Sequence, residues 1–94
     1  MKLRFTQRSL DNLSNIADYL SARDPAAAKR VRAAIYGTLR LLIAFPKLGR
    51  KQAVENVRKV LTHRYRYIVY YLIDEQADAV VIQCEASGTG ARAF

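Results

Sequence analysis

The dipeptide Asp24-Pro25 separates two apolar stripes of helical period, and this division constrains the fold more than any other feature of the chain. Upstream, Leu10, Leu13, Ile16 or Ala17, and Leu20 recur at steps of three and four, with Arg8, Asp11, Asn12, Asn15 and Asp18 between them. One side of a helix is then apolar and the other faces water. Thr6 offers the oxygen that caps its first turn, and the helix is expected to end near Ala22. Downstream, Asp24 caps a second helix with Pro25 in its first turn, where a missing N–H costs nothing. Ala28, Val31, Ile35, Thr38 or Leu39, and Leu42 form its buried stripe. A short Ser21–Asp24 turn makes the pair an antiparallel αα-hairpin. Pro46 cannot continue the second helix, and Gly49 is expected to close it in a left-handed turn.

That second stripe has apolar flanks on both sides, Tyr36 and Ile43 on one and Ala34 and Leu41 on the other. A helix packed only on a sheet needs less. Either the domain itself covers both flanks, or the first helix takes one and the other is left for a partner chain.

The remaining segments read as strands. Lys2 to Phe5 alternates polar with apolar, placing Leu3 and Phe5 on one face. Val57 to Leu61 is a short run containing Arg58 and Lys59. Tyr65 to Ile73 is rich in Tyr, Ile and Val, which suit a pleated surface. Tyr65, Tyr67, Val69, Tyr71 and Ile73 share one of its faces and Arg66, Ile68, Tyr70 and Leu72 the other, so it is expected to lie inside the sheet. Asp74 to Asp78 is a hairpin loop and Ala79 to Cys84 the last strand. Gly49 to Asn56, polar and basic, is expected to be mobile, and Glu85 to Phe94 to be irregular. Residues 1–94 are enough for one domain. The order is βααβββ, an α+β fold with the helical hairpin against an antiparallel sheet.

Charge is distributed unevenly. Met1 to Ile73 holds fifteen Lys and Arg against four acids, whereas Asp74 to Phe94 holds one Arg against four acids. The resulting field attracts a polyanion, an acidic partner protein, or both. Cys84 is the sole cysteine, which excludes an intrachain disulfide and any Cys/His zinc spacing and fits a reducing cytoplasm. Met1 to Phe5 lacks the apolar core of a signal peptide, and no run approaches the ~18 apolar residues of a membrane span.

These segments, taken in order, resemble a known family. Leu3-x-Phe5-Thr6, Leu13-x-x-Ile16-x-x-Tyr19-Leu20 and Asp24-Pro25-x-Ala27-Ala28 are similar to the opening of ParE-like toxins. Ile35-x-x-x-Leu39-x-x-Leu42-x-x-x-Pro46-x-Leu48-Gly49-Arg50, then Val57-Arg58 and Tyr65-Arg66-Tyr67-Ile68-Val69-Tyr70, continue the likeness across roughly residues 3–83. The chain thus resembles the RelE/ParE superfamily, its ParE branch most closely. The resemblance implies a βααβββ fold and the toxin role in a type II toxin–antitoxin (plasmid stabilisation) system. It also implies a ParD-like antitoxin whose C-terminal segment wraps the toxin in a heteromeric complex. ParE-like members poison DNA gyrase, whereas RelE-like members cut mRNA in the ribosome. One departure stands out: the family's Val-x-His-x-Arg-like ending is replaced by Gln83-Cys84-Glu85-Ala86-Ser87-Gly88-Thr89-Gly90-Ala91-Arg92.

A metal-free ribonuclease needs a base, an acid and cations for the phosphorane. Lys51, Arg58, Arg64 and Arg66 are the available cations and His63 the only imidazole, and no Tyr or His follows Tyr71. That shortage tells against a nuclease, and the ParE resemblance implies a gyrase inhibitor, more a binding protein than an enzyme. The alternatives are a RelE-like endoribonuclease using Lys51, Arg58, His63 and Arg66, or a toxin disarmed by its altered C-terminus. For the antitoxin, Tyr36, Leu41 and Ile43 are the expected apolar anchors, with Arg30, Arg40, Arg58 and Arg66 pairing with its acids. No metal or cofactor is expected: Asp74, Glu75 and Asp78 lie in one solvated loop, and Gly88-x-Gly90 opens no helix. No recognition-helix motif is visible, so direct sequence-specific DNA binding is not expected.

Overall fold

Thr6 joins the first strand to the first helix and fastens both to the far end of the chain. Its Oγ1 accepts from the Ser9 N–H at 3.1 Å, capping the helix, and donates to the Gln83 carbonyl at 2.8 Å. The computed structural model describes residues 1–62 and 67–87, the last four by backbone alone. The elements are β1 (Lys2–Phe5), α1 (Gln7–Arg23), α2 (Pro25–Ala44), β2 (Arg50–Lys51), β3 (Val57–Leu61), β4 (Tyr67–Asp74) and β5 (Ala79–Ser87). The expectations for His63, Arg64, Tyr65 and Arg66, for the Cys84 and Glu85 side chains, and for the chain from Gly88 onward lie outside the described residues.

The helical hairpin is tighter than a four-residue turn. Asp24 alone separates the helices: its N–H donates to the Leu20 carbonyl at 2.7 Å, and its Oδ1 accepts from the Ala27 N–H at 3.1 Å. One residue thus terminates α1 and caps α2, with Pro25 supplying a preset φ at the next position. On α2, Val31, Ile35, Thr38, Leu39 and Leu42 are buried, as the stripe required. Thr38 satisfies its hydroxyl by donating to the Ala34 carbonyl at 3.1 Å. On α1, Leu13, Ile16 and Leu20 pack against the core. Leu10 does not close that stripe, being 45% exposed, while Ser9 is fully buried with its hydroxyl donating to the Thr6 carbonyl at 2.9 Å. The cap draws Ser9 inward and turns Leu10 toward the helix–helix seam.

The sheet has the order β1-β5-β4-β3-β2, so β4 is central as its two apolar faces demand. Its core face is Tyr67, Val69, Tyr71 and Ile73, packed with Val80 and Ile82 of β5 under the two helices. The sheet is mixed rather than wholly antiparallel. β2 to β5 pair antiparallel, but β1 pairs parallel with β5, Lys2 opposite Ala79 and Phe5 opposite Ile82. Hairpin turns dictate an antiparallel sense only between consecutive strands, and β1 reaches its partner with the whole remaining chain in between.

Two further boundaries differ from expectation. Arg50 and Lys51 form a two-residue edge strand on β3, inside the segment read as mobile. The segment returns through Gln52, whose N–H donates to the Val57 carbonyl at 3.0 Å, and through Asn56 at φ 65°. Asn tolerates that left-handed conformation better than most side chains. β5 runs to Ser87, three residues beyond Cys84, and pairs with β4 along that length. Between Ile82 and Cys84 the register skips Gln83, a bulge opposite the Tyr70–Tyr71 step.

Candidate functional site

One surface and one internal clamp position the candidate residues. The surface is the outer seam of the helical hairpin. Leu10, Leu13, Ala17 and Leu20 of α1 face Ala28, Val31, Ile35 and Tyr36 of α2 across a groove of about 440 Å³. Lys29 and Arg32 stand on its α2 side, and the Arg32 guanidinium lies 5.6 Å from the Tyr36 ring centroid. The groove is apolar in its floor and cationic on that rim.

The clamp lies at the C-terminal end of α2. Tyr71, wholly buried, donates its hydroxyl to the Pro46 carbonyl at 2.6 Å and accepts from the Gly49 N–H at 2.8 Å. Arg58 adds two donations from Nη1, to the Gly49 carbonyl at 2.8 Å and the Lys47 carbonyl at 3.3 Å. The Phe45–Gly49 connection is thereby pinned from below, and it carries Phe45 and Leu48 exposed on its outer side. Burial raises the Tyr71 pKa above the ordinary phenol range, while the Gly49 N–H and the nearby Arg58 charge act in the opposite direction. Tyr67 is raised as well, first by burial and then by the neighbouring Tyr19. Gly49 is needed here for space rather than for a left-handed backbone. A Cβ at this position would meet Tyr71 Oη at 2.7 Å and the Lys59 carbonyl oxygen at 2.8 Å.

Of the seven residues expected to hold an antitoxin, the six that are described do not form one surface. Tyr36 borders the groove and Ile43 lies on the same flank, half-buried. Leu41 is about 140° away around α2 and is 50% exposed on the opposite flank. Arg30 and Arg40 are exposed on the helix, Arg58 is engaged in the clamp, and Arg66 lies outside the described residues. Of the nuclease set, Lys51 and Arg58 are cross-strand neighbours on β2 and β3, and His63 and Arg66 are not described. Sequence reasoning missed Leu10 as a groove residue and Tyr71 with Gly49 as a clamp. The first follows from Ser9 competing for the cap; the second joins positions 22 residues apart and leaves no local signal. Among the described residues no group of three or more His, Cys, Asp or Glu is placed to hold a metal, and no helix is long and apolar enough to cross a membrane.

Comparison with known proteins decides the family. A model described as "ParE toxin of type II toxin-antitoxin system, parDE" matches residues 3–83. The chain belongs to the ParE toxin family. It is 30% identical over 81 residues to a protein of Sinorhizobium fredii named "Putative toxin Y4kP", covering 86% of this chain and 84% of that one. In structure it is similar to the chromosomal ParDE system from P. aeruginosa, with a TM-score of 0.77 at 20% identity, over 93% of this chain and 95% of that one. The intact E. coli RelBE toxin–antitoxin complex matches with a TM-score of 0.66 at 13% identity, over 97% of this chain and 98% of that chain. At these identities the structural likeness speaks for the fold, and it confirms two helices on a five-stranded mixed sheet as the architecture of this ParE-family toxin.

Proposed function

We propose that this ParE-family toxin binds and inhibits DNA gyrase, and that a cognate antitoxin neutralises it by laying an amphipathic, net acidic segment along the α1–α2 groove. The family match over residues 3–83 is the observation that carries the reading. The engagement of Arg58 supports it against a nuclease. A guanidinium that donates to the Gly49 and Lys47 carbonyls is positioned to hold a loop, not a phosphorane. Tyr71 has its hydroxyl filled as both donor and acceptor and is a poor proton relay. In sequence, Gln83 to Arg92 brings neither Tyr nor His where a general acid would be wanted. The loss of such assistance typically costs about 10²–10⁴ in rate. A ribosome-dependent endoribonuclease is the second reading, favoured by the pairing of Lys51 with Arg58 across β2 and β3.

Both targets belong in one experiment with one protein preparation. Gyrase supercoiling should be inhibited, or cleaved DNA should accumulate, while mRNA on translating ribosomes stays intact. Codon-positioned cuts with untouched gyrase would transfer the assignment to the nuclease. For the antitoxin, Leu10→Asp and Tyr36→Ser should weaken binding by about tenfold or more, as expected for anchors buried at an interface centre. Arg32→Gln, a rim change, should mainly slow association at low salt.

A further inference from the structure

From Pro25 to Val54 the chain holds seven Lys and Arg and no acid. Within that segment Leu41, Phe45 and Leu48 are 50%, 62% and 51% exposed. Two backbone hydrogen bonds gather them into one patch. The Phe45 N–H donates to the Leu41 carbonyl at 2.7 Å, and the Leu48 N–H donates to the Phe45 carbonyl at 3.0 Å. Phe45 and Leu48, with Met1 and Ile73, line a recess of about 470 Å³ that Lys47 and Glu75 also border. The patch continues the flank of α2 opposite the groove, so the domain itself leaves that second apolar flank uncovered at Leu41. It is also held stiffly. Tyr71 fixes Pro46 and Gly49 from beneath, and Arg58 fixes Lys47 and Gly49. Half-exposed Phe and Leu side chains add little to the stability of a fold. Fixing them in place beforehand lowers the ordering cost of binding something else.

Charge decides what fits there. A second copy of the chain would set seven cations against seven, with no acid from the same segment to offset them. Three side chains also fall well short of the roughly 800 Å² per partner that a stable interface buries. A nucleic acid would neutralise the cations and gain little from Leu41 and Leu48. The groove on the other flank offers the antitoxin its own apolar floor and cationic rim. An acidic protein segment with bulky apolar side chains uses every feature of the patch. We infer that Leu41, Phe45 and Leu48 dock such a segment of the protein that the toxin inhibits, with Arg40 and Lys47 beside them meeting its carboxylates. This inference rests on the reading of the chain as a gyrase inhibitor and adds to it the surface of contact.

Purified gyrase is the probe, in a supercoiling assay and immobilised for surface plasmon resonance. Phe45→Ser and Leu48→Ser should each raise the half-inhibitory concentration by about tenfold or more, as expected for anchors at the centre of an interface. Lys47→Glu should slow association with gyrase at low salt and have less effect at high salt. Affinity for the cognate antitoxin should stay within about twofold in all three, because the groove residues are untouched. Val54→Ser removes an exposed apolar side chain outside the patch and should inhibit as wild type. Unchanged thermal melts establish that each variant is folded. A wild type that inhibits gyrase alongside folded Phe45→Ser and Leu48→Ser variants that inhibit equally well would overturn the inference alone. A wild type that neither binds nor inhibits gyrase would sink the gyrase reading, and the inference with it. Lost antitoxin affinity with gyrase inhibition intact would assign the patch to the antitoxin. Self-association of the wild type in sedimentation, abolished by Phe45→Ser with gyrase inhibition intact, would assign it to a second copy.

Discussion

Tyr70 and Tyr71 are adjacent in β4, and they show how differently the two faces of one sheet are used. Tyr71 points under the helices, is wholly buried, and has its hydroxyl fixed between Pro46 and Gly49. Tyr70 points to the open face, half-buried beside Lys59. The helix-covered face gains its stability from dense apolar packing and keeps polar groups only where each is satisfied. The open face carries Lys2, Arg4, Arg50 and Lys59 and leaves apolar surface in reach of solvent. A stripe of half-exposed Ile68, Leu72, Val57 and Val81 adds less to stability than the same residues would if buried. The sheet is therefore densely packed on one side and partly open to solvent on the other.

The largest expected contrast is between neighbours in β5. Ile82→Ala removes a fully buried side chain and should destabilise by about 2–5 kcal/mol. Val81→Ala, on the half-buried face, should lose markedly less, and equal losses in urea denaturation would break the comparison. Gly49→Ala comes next. The new Cβ has to displace a buried tyrosine hydroxyl and a strand carbonyl at once, so about 1–3 kcal/mol should be lost through overpacking.

Smaller effects sharpen the same contrast. Tyr71→Phe leaves the buried Gly49 N–H without its acceptor and should destabilise by about 1–3 kcal/mol. Tyr70→Phe should stay within about 0.5 kcal/mol. The least effect is a pH dependence. Tyr67 and Tyr71 hold their protons above the ordinary phenol value of 10.0, chiefly through burial. As pH rises past that value the unfolded chain releases these protons first, so the unfolded state binds fewer and stability falls. Stability should be intact below pH 10.0 and decline as pH rises through the folded values. Urea midpoints measured on both sides of that value should fall less steeply in Tyr71→Phe than in the wild type.

What could be read from the sequence was what local chemistry dictates. Thr6 and Asp24 cap their helices because the oxygen and the orphan N–H are three residues apart. The stripe from Val31 to Leu42 is a matter of helical period, and the alternation through Tyr71 is a matter of strand period. The remaining features depend on distant parts of the chain meeting. The parallel sense of β1 is set by β5, and the need for Gly49 by a tyrosine in the third strand after it. Arg58 looked like a ligand for acids or phosphate because a half-buried guanidinium and an exposed one have the same letter. Its carbonyl partners at Lys47 and Gly49 exist only once β3 lies beneath the end of α2.

The pairing of β1 with β5 has a consequence for synthesis on the ribosome. Lys2 to Phe5 finds its ladder partners only when Ala79 to Ile82 has been made, and Thr6 finds its acceptor only with Gln83. Until then α1 and α2 can form locally as an antiparallel pair, but Val31, Ile35, Leu39 and Leu42 have no sheet to close over them. Contacts of such sequence separation form late and slowly. The emerging polypeptide must therefore carry an uncovered apolar helix face through most of its translation, the stage at which aggregation competes with folding.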